Sequence, residues 1–460
     1  MSDTAKVLDH LDGDLDAALE RLFALVRTKS ISTDPAFAEE CRKAALWLTD
    51  DLATMGFASE VVDTEGHPLV LARGGSGGPH LLFYGHYDVQ PVDPLELWDN
   101  DPFDPAIRIR PDGVKIISGR GTSDDKGQIM TFLEACRAWH RVTGALPCQI
   151  TVLIEGEEES GGKSLLRFLE TRGDEIDAEL ALVCDTWMWN RQTPAITTQL
   201  RGNVTEEVTI KAASRDLHSG AYGNAAANAN TVLVNALAGL RDGSGRVTIP
   251  GFYDGVPEIS ETLRAQWDGL GFDSAEFLGD VGLSVPAGEA GRSVLDQVWA
   301  RPTCEINGLW GGYTGAGFKT VIPAEAHAKV SFRLVGTQDP DKIREAFRAH
   351  IRASIPSDCT AEFQAHGSGR AITMPTDAPV FELARQALGE EWGTEAAFVG
   401  SGGSIPVVEQ FQRLLGLDSL LVGFGLDDDA LHSPNEKYDL ASYTKGMRAW
   451  ARILGSLSDS

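Results

Sequence analysis

Leu81, Leu82, Phe83 and Tyr84 form an apolar run of strand length, which Gly85 stops and which His86 and Asp88 follow. In an α/β sheet, ligands gather at the carboxyl ends of the strands, so a histidine and a carboxylate two residues apart at such an end read as site chemistry. The pairing has a purpose if the imidazole binds a metal ion and Asp88 fixes its tautomer and ring orientation. The competing reading is a plain surface turn, and the rest of the chain decides between the two.

Further segments share this pattern. GRGTSDDKG, residues 119–127, has glycines for tight turns and the adjacent carboxylates Asp124 and Asp125, ahead of a helical pattern through Met130, Leu133 and Cys136 toward Gly144. Asp125 has an ordinary explanation as a helix cap. Two neighbouring acids repel each other, however, and a divalent cation relieves that repulsion. TVLIEGEEESGG, residues 151–162, runs a β-branched strand into Glu155, Glu157, Glu158 and Glu159. A charge run is commonly a solvated helix face, but this one falls at the carboxyl end of a buried type of strand, beside His86 if the strands are parallel. Consecutive strand residues point to opposite sides, which gives Glu158 and Glu159 different tasks, one on a metal and one facing a bound water. The strand in AELALVCDTW ends at Asp185, and LHSPNEK supplies His432. Two imidazoles and three carboxylates, His86, Asp124, Glu159, Asp185 and His432, suit two zinc ions that share one bridging carboxylate.

The rest of the chain reads as packing. Leu15, Leu19, Leu22 and Val26 line one face of a first helix, and Phe37, Cys41, Ala44, Leu48, Leu52 and Met55 line a second that Gly56 can end. Residues 92–105 read as a loop held by Trp98 and Phe103. From about residue 198 to 375 the character changes to a β-α-β series, read as an inserted domain, after which the alternation of helix and strand resumes and a helix at 439–456 closes the chain. The expected architecture is α/β: a catalytic domain, 1–197 with 376–460, whose mixed and mostly parallel sheet lies between helices, and a smaller inserted α/β domain at 198–375.

Composition narrows the function. At 460 residues the chain is too long for one ordinary core. Its 67 acidic and 40 basic side chains leave a net charge of −27, which repels nucleic acid and anionic membrane surfaces. The six cysteines are scattered with no Cys-x-x-Cys pair, the acidic start is not expected to act as a signal peptide, and no run approaches the roughly 18 apolar residues of a membrane span. A cytoplasmic enzyme is expected.

GHYDVQP, GRGTSDDKG, EGEEESGG, RDLHSGAYG, KTVIP, GGSIP and LHSPNEK, in this order, resemble the signatures of the zinc metallopeptidase family of carnosinase, aminoacylase, desuccinylases and carboxypeptidase G, closest to its carnosinase-like dipeptidases. The resemblance runs from about residue 20 to the C-terminus. It implies that Asp124 bridges two divalent ions, zinc first and manganese or cobalt as alternatives, that His86 and Asp185 hold one, and that Glu159 and His432 hold the other. It further implies that Glu158 is the general base, that Asp88 is the orienting carboxylate and that the Asp124–Asp125 peptide is cis. The inserted domain resembles the family's lid, through which two protomers pair, and RDLHSG places His218 where the family donates a hydrogen bond to the oxyanion across the dimer. Thr320, Arg333, His366, Gly403 and Ser404 match positions that hold a substrate's C-terminal carboxylate.

The implied activity is hydrolysis of dipeptides or small peptides with a free C-terminal carboxylate, by a metal-bridging hydroxide with Glu158 as base. Asp185 in place of Glu leans, by analogy, toward the peptidases. A deacylase of N-acyl or N-carbamoyl amino acids on the same site is the nearest alternative. A non-catalytic peptide-binding relative is a third, against which Glu158 argues, since a binder has no use for a base.

Overall fold

The computed structural model describes residues 2–458. The chain divides into two compact units, one comprising 1–198, 374–399 and 410–460, the other 199–373 with 400–409. The second unit thus includes Gly403 and Ser404, which the sequence reading grouped with the catalytic segments.

The main sheet of the first unit runs in the order Ala58–Val62, Leu69–Gly74, Gln149–Glu155, His80–His86, Leu180–Val183, Ser419–Leu421 and Ala195–Leu200. Its centre is parallel: His80–His86 pairs in parallel with both Gln149–Glu155 and Leu180–Val183, and Ser419–Leu421 continues this on the far side. The outer pairings are antiparallel, so the sheet is mixed. Parallel strands buried on both faces need continuous apolar runs, which is what LLFY, TVLI and LALV supply.

Gly85 does not end its strand, contrary to expectation: it is paired within it, opposite Ile154. The residue is needed for a close approach, because a Cβ there would lie 2.7 Å from Ile129 and 2.8 Å from Asp125. Ile129 belongs to the helix Lys126–Thr143, which is buried nearly all round, as befits a helix inside the unit and not on its surface. Phe132 of that helix stacks on Phe83 with ring centroids 3.7 Å apart, and Trp450 of the last helix, Leu440–Ser458, meets both rings edge-on. This aromatic cluster fixes the central strand beneath the site.

Several elements lacked a clear sequence signal. Helix Asp3–Gly13 forms on Val7, Leu8 and Leu11 despite its acidic composition. Ala106–Ile109 and Lys115–Ser118 form a hairpin, to which Lys437–Asp439 adds a third strand. This small sheet ties the GRGTSDD turn to the segment after His432.

The second unit holds a four-stranded antiparallel sheet in the order Thr303–Gly311, Glu325–Leu334, Gly202–Lys211 and Thr360–Gly369. Burial alternates strictly along Gly202–Lys211, the mark of a sheet with one covered face. Helices Ala229–Ala238 and Pro340–Ala353 cover that face over a core of Val204, Val208, Leu233, Phe332 and Phe347. Glu206 also points into it and is held by Arg344 and Arg348 at 2.7 and 2.9 Å. The Gly/Pro/acid-rich stretch around 242–300 contains short helices at Glu261–Asp268 and Ser274–Gly279. All six cysteines are buried free thiols. No helix among the described residues is long and apolar enough to cross a membrane.

Candidate metal centre

Parallel pairing sets the carboxyl ends of the central strands side by side. His86 is the last residue of its strand and lies opposite Glu155. Asp185 follows the neighbouring strand by two residues, and Glu158 and Glu159 lie just beyond the other neighbour. The last two residues occupy a 3-10 turn, Glu158–Ser160, so that turn and not the pleat alternation separates their directions. Glu157, from the same acidic run, faces away: its carboxylate accepts the N–H groups of His67 and Ser164, each at 2.9 Å, and so anchors the start of helix Lys163–Arg172.

The side chains converge on Asp124. One of its oxygens lies 3.1 Å from His86 Nε2 and the other 3.0 Å from His432 Nε2. Asp185 comes within 4.0 Å of His86 Nε2, and Glu159 within 3.3 Å of His432 Nε2. Two triads result, His86 with Asp124 and Asp185, and Asp124 with Glu159 and His432, whose ligand atoms lie within 4.8 Å of one another. His432 is carried in a left-handed backbone conformation, φ +57°.

Asp88 lies beneath this cluster. Its carboxylate is 3.3 Å from His86 Nδ1 and also accepts the backbone N–H groups of Glu158 and Glu159 at 3.3 and 3.1 Å. The Asp124–Asp125 peptide is cis. Asp125 makes no side-chain cap to the helix it precedes; it accepts the backbone N–H of His86 at 3.2 Å instead. The two adjacent acids therefore face different partners.

Electrostatics follow from burial and from the crowding of acids. Burial opposes ionisation of Asp124, but hydrogen bonds from His432 and His86 outweigh it and hold the carboxyl below the usual carboxylate range. Burial, and then the charges of Asp124 and Asp125, push Asp185 well above that range. Burial raises Glu158 to about 7, with Glu159, Asp124 and Asp88 adding to the shift and His86 opposing it. Hydrogen bonds donated to Asp124 and Glu159 raise His432 to about 10. Acids thus outnumber the imidazoles at a buried point, an excess of negative charge that divalent cations neutralise. Each triad offers one histidine and two carboxylates, a donor set that fits such an ion with a position left open.

Sequence reasoning missed two residues that build the site. Glu436, fully buried, accepts N–H bonds from Gly121, Ser123 and Asp124 at 3.0 to 3.1 Å and pairs with the buried Arg120 at 2.7 Å. It locks the loop of His432 to the turn of Asp124; its only signal was an acid four residues after the histidine. Gln90 donates to the second oxygen of Glu159 at 2.7 Å.

The remaining expected residues belong to the second unit. His218 and Thr320 are neighbours, His218 pairing with Val321 and Ser219 N–H donating to Thr320 O at 3.1 Å. His218 Nδ1 accepts the N–H of Gly220 at 3.0 Å, so the neutral ring carries its proton on Nε2 and can donate it outward. Arg333 lies on the sheet face opposite the helices, paired with Asn203 and Thr303, and His366 shares that face beside Glu207 at 3.7 Å. Gly403 is bound through its carbonyl by Arg201 N–H at 3.0 Å.

Residues 82–456 match the profile described as Peptidase family M20/M25/M40. The Cys-Gly metallodipeptidase DUG1 of Candida albicans is 30% identical over 453 residues, which cover 94% of this chain and 92% of that one. The human Beta-Ala-His dipeptidase is 27% identical over 473 residues, covering 97% and 91%. Among solved structures, an M20 family metallo-carboxypeptidase from Sulfolobus solfataricus superimposes with a TM-score of 0.81 at 28% identity, covering 96% of this chain and 99% of that one. The family's profile spans all of the converging residues described above, and the chain is accordingly a member of peptidase family M20/M25/M40, a peptide-bond hydrolase.

Proposed function

We propose that the protein is a metal-dependent dipeptidase with two divalent ions, zinc first, held by His86 and Asp185 on one side, Glu159 and His432 on the other, and Asp124 between them. The observation that carries this reading is the pair of triads sharing Asp124, with Glu158 beside them. Divalent ions in such a pair make water a nucleophile near neutral pH and polarise an amide carbonyl.

The chain's own residues supply the rest. The Asp88 carbonyl accepts the His86 Nδ1–H at 3.1 Å, with the Asp88 carboxylate 3.3 Å away, which leaves Nε2 free to ligate. Glu158, raised to about 7, takes the proton of the attacking water and returns it to the leaving amine. His218, with its proton on Nε2, donates to the developing oxyanion. Arg333, with Thr320, His366, Gly403 and Ser404, recognises the substrate's C-terminal carboxylate. The names of the relatives, a Cys-Gly and a Beta-Ala-His dipeptidase, support dipeptides over acylated amino acids as substrates.

The protein works in the cytoplasm as a homodimer joined through the second unit. Support for the dimer comes from the strand Thr303–Gly311, an edge of its sheet on which Ile306, Leu309 and Trp310 are exposed. Sedimentation of Trp310→Glu as a dimer no weaker than wild type would remove this edge from the interface.

The substrate test is direct. The zinc-loaded protein is incubated with a dipeptide mixture and, separately, with N-acyl amino acids, and products are read by mass spectrometry. Dipeptide cleavage is expected; cleavage of the acyl amino acids alone would overturn the reading in favour of a deacylase.

A further inference from the structure

Arg201 stands at the junction of Ala195–Leu200 and Gly202–Lys211 and is only 9% exposed. Its backbone N–H binds Gly403 O at 3.0 Å, its Nε binds Gly402 O at 2.9 Å, and its Nη1 reaches Gln297 O at 3.5 Å. The guanidinium thus holds the Gly402–Gly403 turn by main chain and side chain together. Its Nη2 lies against the same turn, 3.2 Å from where a Cβ on Gly402 would be, and has no acceptor among the described residues.

Every bond just described goes to a carbonyl, and among the described residues no carboxylate pairs with Arg201. Two acids line the same cavity as Arg201, Glu289 and Glu305, and other arginines hold both, Arg301 at 2.9 Å and Arg241 at 2.6 Å. Arg333 pairs with Asn203, two residues along the chain from Arg201; it adds a like charge and likewise has no acid partner among the described residues. Burial, and then the charge of Arg333, lower Arg201 to about 10. A buried cation without a counter-ion is costly, and in a chain with a net charge of −27 acids are not scarce. Two neighbouring arginines left unpaired in such a chain form a site short of one anion.

We propose that Arg201 is a positioning residue for recognition of the substrate's carboxylate: it fixes the Gly402–Gly403 turn and, with Arg333, supplies the positive charge that the bound carboxylate completes. The inference rests on the reading of Arg333 as carboxylate anchor and extends it to a residue that does not belong to that anchor set. A planar fork is needed because one guanidinium must serve the turn and the field at once, which an ammonium cannot do.

The test compares Arg201→Met, Arg201→Lys and Arg333→Ala on a dipeptide and on its C-terminal amide. Arg201→Met should raise KM for the free acid by at least about tenfold, with kcat changed far less and the amide little affected. Arg201→Lys should recover part of the loss. A binding measurement independent of turnover accompanies this: N-acetylglycine should raise the melting temperature of the wild type but not of Arg201→Met, and N-acetylglycinamide should shift neither. If Arg333→Ala discriminates acid from amide while folded Arg201→Met does not, the inference on Arg201 fails and the anchor stands. If neither does, the anchor reading itself fails and takes the inference with it. Should Arg201→Met not fold, Arg201→Lys decides: a selective KM increase for the acid supports the role, and an equal loss on acid and amide makes Arg201 a structural clamp only.

Discussion

Asp88 reaches Glu159 through the backbone: its carboxylate accepts the Glu159 N–H at 3.1 Å while lying 3.3 Å from His86 Nδ1. One buried acid thereby sets both the orientation of an imidazole and the position of the turn that carries Glu158 and Glu159. Asp88→Ala should therefore disturb both triads, lowering metal affinity or activity by about 10- to 100-fold. Metal analysis after dialysis, alongside steady-state kinetics, checks this; a variant with full metal content and full turnover would remove Asp88 from the site.

Glu158→Gln keeps size and loses the capacity to take a proton. Metal content should stay near normal while turnover falls by about 10²–10⁴-fold. Unchanged turnover would mean that another group is the base.

Glu436 and Arg120 are a buried pair, and Glu436 also holds the N–H groups of Ser123 and Asp124. Glu436→Gln leaves the Arg120 charge uncompensated, and breaking such a pair costs about 3–5 kcal/mol. Denaturant unfolding should show that loss, together with weaker metal binding because the Asp124 turn is no longer pinned. Wild-type stability in the variant would contradict the assignment.

The metal-free protein should lose stability as pH rises. Burial holds Glu158 at about 7 and both Glu155 and Asp125 at about 8, so the folded chain keeps protons that the unfolded chain has released. His432, raised to about 10, acts in the same direction. The folded state therefore binds the larger number of protons between about pH 5 and about pH 8, and stability declines across that window. Asp124, held below the carboxylate range, has the opposite sense, but its contribution is lost only at acid pH. Divalent ions require deprotonated ligands, so their stabilisation should grow as pH rises. Melting temperatures of chelated and loaded protein over this window should diverge; parallel curves would argue against metal at these groups.

The site was legible to the extent that its residues sit beside strong local signals. The runs LLFY, TVLI and LALV announce buried strands, and a histidine or acid at the end of each is visible without coordinates. Glu436 was not legible, because its role depends on Gly121 and Ser123, residues more than 300 positions away in sequence. Gly85 was misread because a close helix approach leaves the same trace in sequence as a turn. The hairpin Ala106–Ile109 and Lys115–Ser118 escaped notice because its strands are short and polar on one face. Arg201 carried no signal in the sequence, because the carbonyls of Gly402 and Gly403 that it binds come from a distant segment of the chain.

The central claim, a peptidase whose chemistry depends on two ions sharing Asp124, is tested most directly by titrating the chelated protein with zinc while following both bound metal and dipeptide hydrolysis. The account predicts no hydrolysis in the chelated protein, uptake of two equivalents, and recovery of activity that Asp124→Ala abolishes together with the uptake. Hydrolysis that persists in fully chelated protein, or full uptake by Asp124→Ala, would contradict it.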